Sequence, residues 1–279
     1  MDAATVGVLR DVAILVGMAL LLGLFAYRWL RFAKPALAWN WSGHVDVRAF
    51  NPIDVMVVAA IASLLLGGLQ AGTAAAAAAA PPQLSPEVLL LNAAVFLAFC
   101  AALLVYLVVF RGLHPVELFG LRRYKFFKVL GLAALCIVPA WFFVNISGAV
   151  IGEWMKTFWP NDMSQDLVEA FRNSDNLSAK ILTVFAAVII APLVEEIIFR
   201  GFVYGVIKRY TDGYFAAICS ALLFATVHFH VGSLFPLALL ALTFCLAYEL
   251  TGSLLVPMIM HAIFNATSLA LLVLFKGFS

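Results

Sequence analysis

The chain has 279 residues, 65% of them hydrophobic and 11% charged, with a mean hydropathy of +1.06 and a formal net charge of +2. That composition excludes a soluble domain and a disordered segment, and it defines an all-α, polytopic integral membrane protein whose first partner is the lipid bilayer. The charge balance gives no electrostatic footprint for a nucleic-acid partner.

Stretches free of Asp, Glu, Lys and Arg run over 12–27, 55–86, 88–110, 129–152, 181–194, 213–248 and 250–275. A span needs about 20 apolar residues, so the run from 213 to 248 must hold two helices, with Gly232, Ser233 and Pro236 supplying a turn within 230–236. The pattern predicts about eight helices, near 10–31, 54–72, 88–110, 128–151, 180–208, 213–230, 235–250 and 254–275. The first is short between Asp11 and Arg28. It lacks small residues where a leader would be cleaved, so it is expected to stay as an anchor.

Between the second and third helices lies a low-complexity linker, Ala74 to Ala80 followed by Pro81 and Pro82. The expected organisation is an N-terminal part over 1–124, with about three spans and this linker, and a core over 125–279 of about five helices. The four cysteines, Cys100, Cys136, Cys219 and Cys245, all sit in apolar stretches without Cys-x-x-Cys spacing, and read as small core residues.

Basic residues set the expected orientation. Arg28, Arg31, Lys34 and Arg48 follow the first helix; Arg111, Arg122, Arg123, Lys125 and Lys128 follow the third; Arg200, Lys208 and Arg209 lie at the end of the fifth. These are 12 of the 17 Lys and Arg, which places those loops in the cytoplasm and both termini outside, in a bacterial-type inner or cytoplasmic membrane. The segment 153–180 is opposite in sign, with Glu153, Asp162, Asp166, Glu169 and Asp175 against Lys156, Arg172 and Lys180, and carries Trp154, Met155, Phe158 and Trp159, the composition of a piece lying at the outer interface. Arg122 to Lys128 is a basic aromatic cluster, read first as an orientation signal and second as a contact for anionic lipid or a substrate tail.

The polar residues of the second half carry the functional reading. Glu195-Glu196-Ile197-Ile198-Phe199-Arg200 interrupts apolar sequence, and each charged residue at that depth costs roughly 2.5 to 3.5 kcal/mol on insertion scales. Glu196 and Arg200 are four apart and share a helix face, acid before base, so they can pair. Glu195 lies about 100° away and has Phe199 at its own i+4 position, which leaves it the carboxylate free for chemistry. A plain interhelical ion network is the bland alternative. His228 lies in the sixth helix, and His261 and Asn265 are four apart on one face of the eighth. From the 1.5 Å rise, Glu195, His228 and His261 lie about 20, 22 and 15 Å in from their helix ends, within a hydrocarbon layer of about 30 Å.

Hydrolysis of an amide by water needs a base, an acid for the leaving amine, and donors for the oxyanion. Glu195 can serve as base and then acid, His228 can share the water or steady Glu195, and His261 with Asn265 can present N–H groups to the oxyanion. A metal reading takes Glu195, His228 and His261 as three zinc ligands with an open fourth position. The usual His-Glu-x-x-His helix is absent, so a site without a cofactor is the first choice and Zn2+ the second. No Gly-x-Ser-x-Gly motif is present, and Asp54 and Asp212 sit at helix ends rather than as an intramembrane pair. A proton-coupled transporter would use the same buried Glu and His, but no repeat relates 1–140 to 141–279. A non-catalytic scaffold for a partner's membrane helix is the third reading.

The motifs Glu-Glu-x-x-x-Arg at 195–200, Phe-x-x-x-His at 224–228 and His-x-x-x-Asn at 261–265 fall in this order on successive hydrophobic helices. Together they resemble the CPBP family of intramembrane proteases, also called the CAAX-processing and bacteriocin-processing or Abi family, which includes the type 2 CAAX prenyl protease. The resemblance covers about 125–275. It implies an α-helical membrane endopeptidase with a cavity open to the cytosol and a peptide or protein substrate tethered to the membrane, CAAX-type or bacteriocin-like. By position it makes Glu195 the water-activating acid, His228 its partner, His261 and Asn265 the oxyanion side, and Glu196 and Arg200 the rest of the first motif. The family has been described both as metalloproteases and as glutamate-dependent enzymes, so the resemblance leaves the metal open.

Overall fold

The computed structural model describes residues 18, 22, 23, 25–34, 43–76, 85–156, 171, 176–228 and 231–274. Among these every regular element is helical, and residues 25–33 form the last described part of an N-terminal helix. In chain order follow α1 (Pro52–Ala76), α2 (Pro86–Val105, prolonged by a π turn over Tyr106–Phe110), the short α3 (Pro115–Leu118), α4 (Phe126–Lys156), α5 (Leu177–Tyr210), α6 (Gly213–Thr226), α7 (Val231–Thr251) and α8 (Leu255–Leu274). Most of the expected first helix, residues 77–82 of the expected linker and most of the 153–180 segment lie outside the described residues, while residues 74–76 of the linker end α1.

The helix starts are written locally. Asn51 Oδ1 accepts from the Ile53 N–H at 3.0 Å, just before α1. Ser85 Oγ and Asn176 Oδ1 accept from Val88 N (3.3 Å) and Ala179 N (3.1 Å) at the starts of α2 and α5. Asp212 takes both Tyr214 N and Phe215 N at the start of α6. Each side chain satisfies a donor that the first helical turn leaves open, and Pro52 and Pro86 stand where no donor is needed.

Among the described residues five helices are long and apolar enough to cross a membrane: Pro86–Phe110, Phe126–Ile151, Leu177–Tyr210, Gly232–Thr251 and Leu255–Leu274. Pro52–Leu65 and Gly213–Thr226 are shorter apolar helices, so the described residues do not confirm a count of about eight spans. The turn expected within 230–236 is also displaced. α7 already begins at Val231 and carries Pro236 inside it. Proline removes one helix hydrogen bond there, but its ring packs on α4, where a Cβ on Gly148 would stand 3.2 Å from Pro236 Cγ.

α5 organises the bundle. Leu177, Ile181, Phe185, Ile189 and Leu193 form an exposed stripe at four-residue spacing, the face turned toward lipid. From Glu196 to Val206 every residue is buried, so the helix passes from the periphery into the centre where its charges begin. Around it Phe50, Val58, Leu103, Leu107, Phe119, Phe224, Tyr248 and Leu254 build the main core. A second core packs Val129, Ala133, Ile137, Ala140 and Val144 of α4 against Leu240, Phe244 and Ala247 of α7 and Val256 and Met260 of α8.

At one end of the bundle the connections are clasped together. The Leu254 N–H donates to the Phe119 carbonyl at 3.0 Å, and Tyr124 Oη donates to the Thr251 carbonyl at 3.1 Å. Nearby, Asp54 is fully buried and receives Arg111 Nε (2.8 Å) and Tyr106 Oη (2.7 Å), which ties α1 to the end of α2. In the loop before α1, hydrogen bonds from Arg48 hold the Asp46 carboxyl down to about 2.

Gly120 and Gly112 have φ of +62° and +64°. A Cβ on Gly112 meets open space, whereas one on Gly120 would run into the Gly252 carbonyl. Gly112→Ala is therefore expected to lose about 1 kcal/mol, the cost of the left-handed backbone alone. Gly120→Ala is expected to lose at least about twice that, since backbone must also move. Thermal unfolding in detergent micelles checks the order, and equal losses would contradict it.

Candidate active site

The site is built where α5 meets α6, α7 and α8. α5 carries an ordinary helical turn over Ala191–Glu195 and then π geometry over Glu196–Tyr204. Such segments recur at functional sites because they turn side chains out of the regular helical phase.

Glu196 and Arg200 are fully buried and joined, with Arg200 Nη1 donating to Glu196 Oε1 at 2.9 Å. The same Oε1 lies 2.9 Å from His261 Nδ1 of α8, so Nδ1–H donates to it. His261 is thereby oriented with Nε2 toward Glu195, whose Oε2 stands 3.7 Å away. That oxygen is buried and has no hydrogen-bond partner among the described residues. The expected pairing of Glu196 with Arg200 is present, and Glu195 is the acid whose carboxylate Arg200 does not take.

Two phenylalanines enclose Arg200 and His261. Arg200 Cζ lies 4.3 Å from the ring centroid of Phe224 and 5.1 Å from that of Phe244, both rings fully buried. The electron-rich ring faces compensate a guanidinium whose Nε and Nη2 have no hydrogen-bond partner among the described residues. His261 lies between the same rings, at centroid distances of 5.9 Å from Phe224 and 5.1 Å from Phe244.

His228 is reached through Phe224 rather than through Glu195. α6 ends at Thr226, short of the expected 230, and His228 lies in the turn just beyond. Its Nδ1 is 2.7 Å from the Phe224 carbonyl, so the side chain caps the helix and ends it there. The ring packs on Phe224 with centroids 4.6 Å apart, and Nε2 is left as the acceptor. Among the described residues no hydrogen bond or ion pair joins His228 to Glu195.

Asn265 turns to the α5 backbone, where Nδ2 donates to the Ala187 carbonyl at 2.8 Å. Ala187 lies in a π turn over Ala186–Ile190 that sends the Ala191 N–H to the Ala186 carbonyl. The next residue, Pro192, has no N–H to give, so the Ala187 carbonyl lacks a backbone donor and Asn265 supplies one. The second N–H of the amide remains.

The zinc reading needs Glu195, His228 and His261 to converge. Among the described residues no group of three or more His, Cys, Asp or Glu side chains is placed to hold a metal ion. The donor set does not fit the ion as it stands.

Three residues that shape this region carry no motif signal. Phe244 and Pro192 read as ordinary apolar positions. Glu249 of α7 is fully buried and accepts from Tyr204 Oη, Lys208 Nζ and, at its backbone carbonyl, the His44 N–H. As a lone acid among apolar residues near Lys208 it could have been flagged for pairing.

A helical membrane bundle with two adjacent glutamates, an arginine and an imidazole from another helix at its centre defines a class, that of polytopic membrane proteins with a buried acid-imidazole site. Residues 177–267 match the family described as Type II CAAX prenyl endopeptidase Rce1-like. The chain is 25% identical over 169 residues, 61% of its own length and 67% of the relative's, to the Bacillus subtilis (strain 168) protein named "Putative membrane peptidase YdiL". No solved structure matches. The two matches support the CPBP family, the one its three motifs resemble.

Asn265→Leu is expected to cost about 2 kcal/mol by leaving the half-buried Ala187 carbonyl without a donor. In a Pro192→Ala background, where residue 192 regains an N–H, that loss should shrink by at least about half. A double-mutant cycle on unfolding free energy reads the coupling, and strict additivity would show that Asn265 does not replace the missing donor.

Proposed function

We propose that this chain is an intramembrane endopeptidase that hydrolyses a peptide bond of a membrane-associated substrate, CAAX-type or bacteriocin-like, using water activated at Glu195. The observation that carries the reading is the division of labour between adjacent glutamates. Glu196, 0% exposed, is committed through Oε1 to Arg200 and His261, whereas Glu195, 14% exposed, accepts no hydrogen bond among the described residues and stands 3.7 Å from His261 Nε2.

Two carboxylates against one guanidinium leave one negative charge over, and a low-dielectric interior disfavours it strongly. A proton passing between Glu195 and His261 balances the cluster. In the forward step Glu195 takes a proton from water while the water oxygen bonds to the peptide carbonyl carbon. As the C–N bond breaks, the same proton goes to the leaving amine. His228 Nε2 is available to accept a hydrogen bond from the water. His261 and the second N–H of Asn265 are the donors for the carbonyl oxygen as it becomes negative, where a single donor is worth about 3 kcal/mol. Glu196 and Arg200 act through His261 by fixing which of its nitrogens faces the site.

The family match supports the peptidase reading, because its description names a CAAX prenyl endopeptidase. The concentration of basic residues at the loops near 111–128 and 208–209 supports a site opening toward the cytoplasm.

The test uses the full chain in proteoliposomes with a prenylated fluorogenic peptide and, in parallel, the same peptide without its prenyl group. Cleavage of the prenylated peptide is expected to fall at least about a hundredfold in Glu195→Gln, the scale of a lost general base, with the unfolding midpoint kept. Prior dialysis against a strong chelator should leave the rate within about twofold. Full activity in Glu195→Gln would refute the assignment of that residue. Activity abolished by the chelator and restored by zinc would replace the mechanism with a metal-dependent one.

A further inference from the structure

The basic aromatic segment 122–128 is not used by the chemistry at Glu195. Arg122, Arg123, Lys125 and Lys128 are all exposed, and none is in an ion pair among the described residues. The side chains that follow Lys125 are Phe126 and Phe127, 62% and 84% exposed, with their rings edge to face at 5.9 Å. Lys128 Nζ stands 4.6 Å over the Tyr124 ring. The one exposed acid in the connection from α2 to α4 is Glu117.

Phe126 is also the first residue of the apolar span Phe126–Ile151, which fixes the height of the cluster at the bilayer surface. At that level two exposed phenylalanines enter the acyl region while four cations lie among headgroups. An orientation signal requires basic residues in the loop but no exposed aromatic pair beside them. Charge and apolar surface together match a ligand with an anionic head and a hydrocarbon tail.

The segment is braced rather than loose. Tyr124 is bonded to the Thr251 carbonyl, and Arg123 Nη1 would stand 2.7 Å from a Cβ placed on Gly252, in the turn between α7 and α8. A ligand held here therefore bridges the start of α4 to the turn that leads into α8.

We propose that residues 122–128 form a headgroup site for an anionic phospholipid of the surrounding bilayer, with Arg122 and Lys125 contacting the phosphate and Phe126 and Phe127 seated beside the acyl chains. Occupancy stabilises the folded chain, because the site exists only when the connection is clasped to the turn between α7 and α8. The inference stands apart from the peptidase reading.

Thermal unfolding of the full chain in neutral detergent, titrated with phosphatidylglycerol or phosphatidylcholine, tests it. Phosphatidylglycerol should raise the midpoint and phosphatidylcholine should not, and about 1 M salt should remove the difference by screening exposed charges. In Arg122→Gln/Lys125→Gln, which alters two side chains that hold no other partner among the described residues, half of the shift should need about 25 times more phosphatidylglycerol, roughly fivefold per cation. Inorganic phosphate should give no shift. Equal responses to the two lipids, a response that survives high salt, an unchanged response in the double variant, or one reproduced by phosphate alone would each overturn the proposal. The lipid and salt arms use the parent chain and decide the matter even where the variant fails to fold.

Discussion

The three-way contact of Arg200, Glu196 and His261 is the constraint on which the centre of this molecule depends. Three ionisable groups with almost no water contact can persist only if each charge meets an opposite charge or a hydrogen-bond donor. Glu196 Oε1 meets both requirements at once by accepting from Arg200 and from His261. Because those partners come from α5 and α8, the pairing also joins two helices. The flat faces of Phe224 and Phe244 close the remaining sides and bring α6 and α7 into the same unit.

Once that contact is made, the neighbouring features follow. His261 has a single orientation compatible with donating from Nδ1, and that orientation turns Nε2 toward Glu195. α5 must present two successive glutamates to the two ring nitrogens of one imidazole, and the π geometry beginning at Glu196 lies at this point. A second departure from regular helix, at Ala186–Ile190, exposes a carbonyl that Pro192 cannot serve. Asn265 fills that vacancy one helical turn beyond His261, so α8 is attached to α5 at two heights.

Much of this was legible in the sequence because hydrocarbon makes charge conspicuous. An acid four residues before an arginine in an apolar helix has few arrangements open to it, and Glu196 with Arg200 adopts the expected one. The long apolar runs likewise yielded α2, α5 and α8, and the start of α4, to within a few residues. Periodicity could not reveal which neighbour each imidazole would choose. His228 was expected within a helix and instead caps its end, because a ring nitrogen competing for the Phe224 carbonyl leaves no trace in spacing. Asn265 was assigned to the oxyanion side by position alone, and its anchoring to Ala187 depends on a missing donor at Pro192 on another helix. The start of α7 was misplaced for a related reason, since a proline that packs on Gly148 is tolerated inside a membrane helix where spacing alone suggests a turn.

The central claim is that Glu195 directs water onto a peptide carbonyl and does not itself bond to carbon. Single-turnover hydrolysis in 18O-labelled water, followed by mass analysis of both product and protein, addresses it directly. The account predicts one heavy oxygen in the newly formed carboxylate of the product and none in the Glu195 side chain. Label found in Glu195 with an unlabelled first product would mean that the acid attacks the carbonyl itself, and would contradict the account.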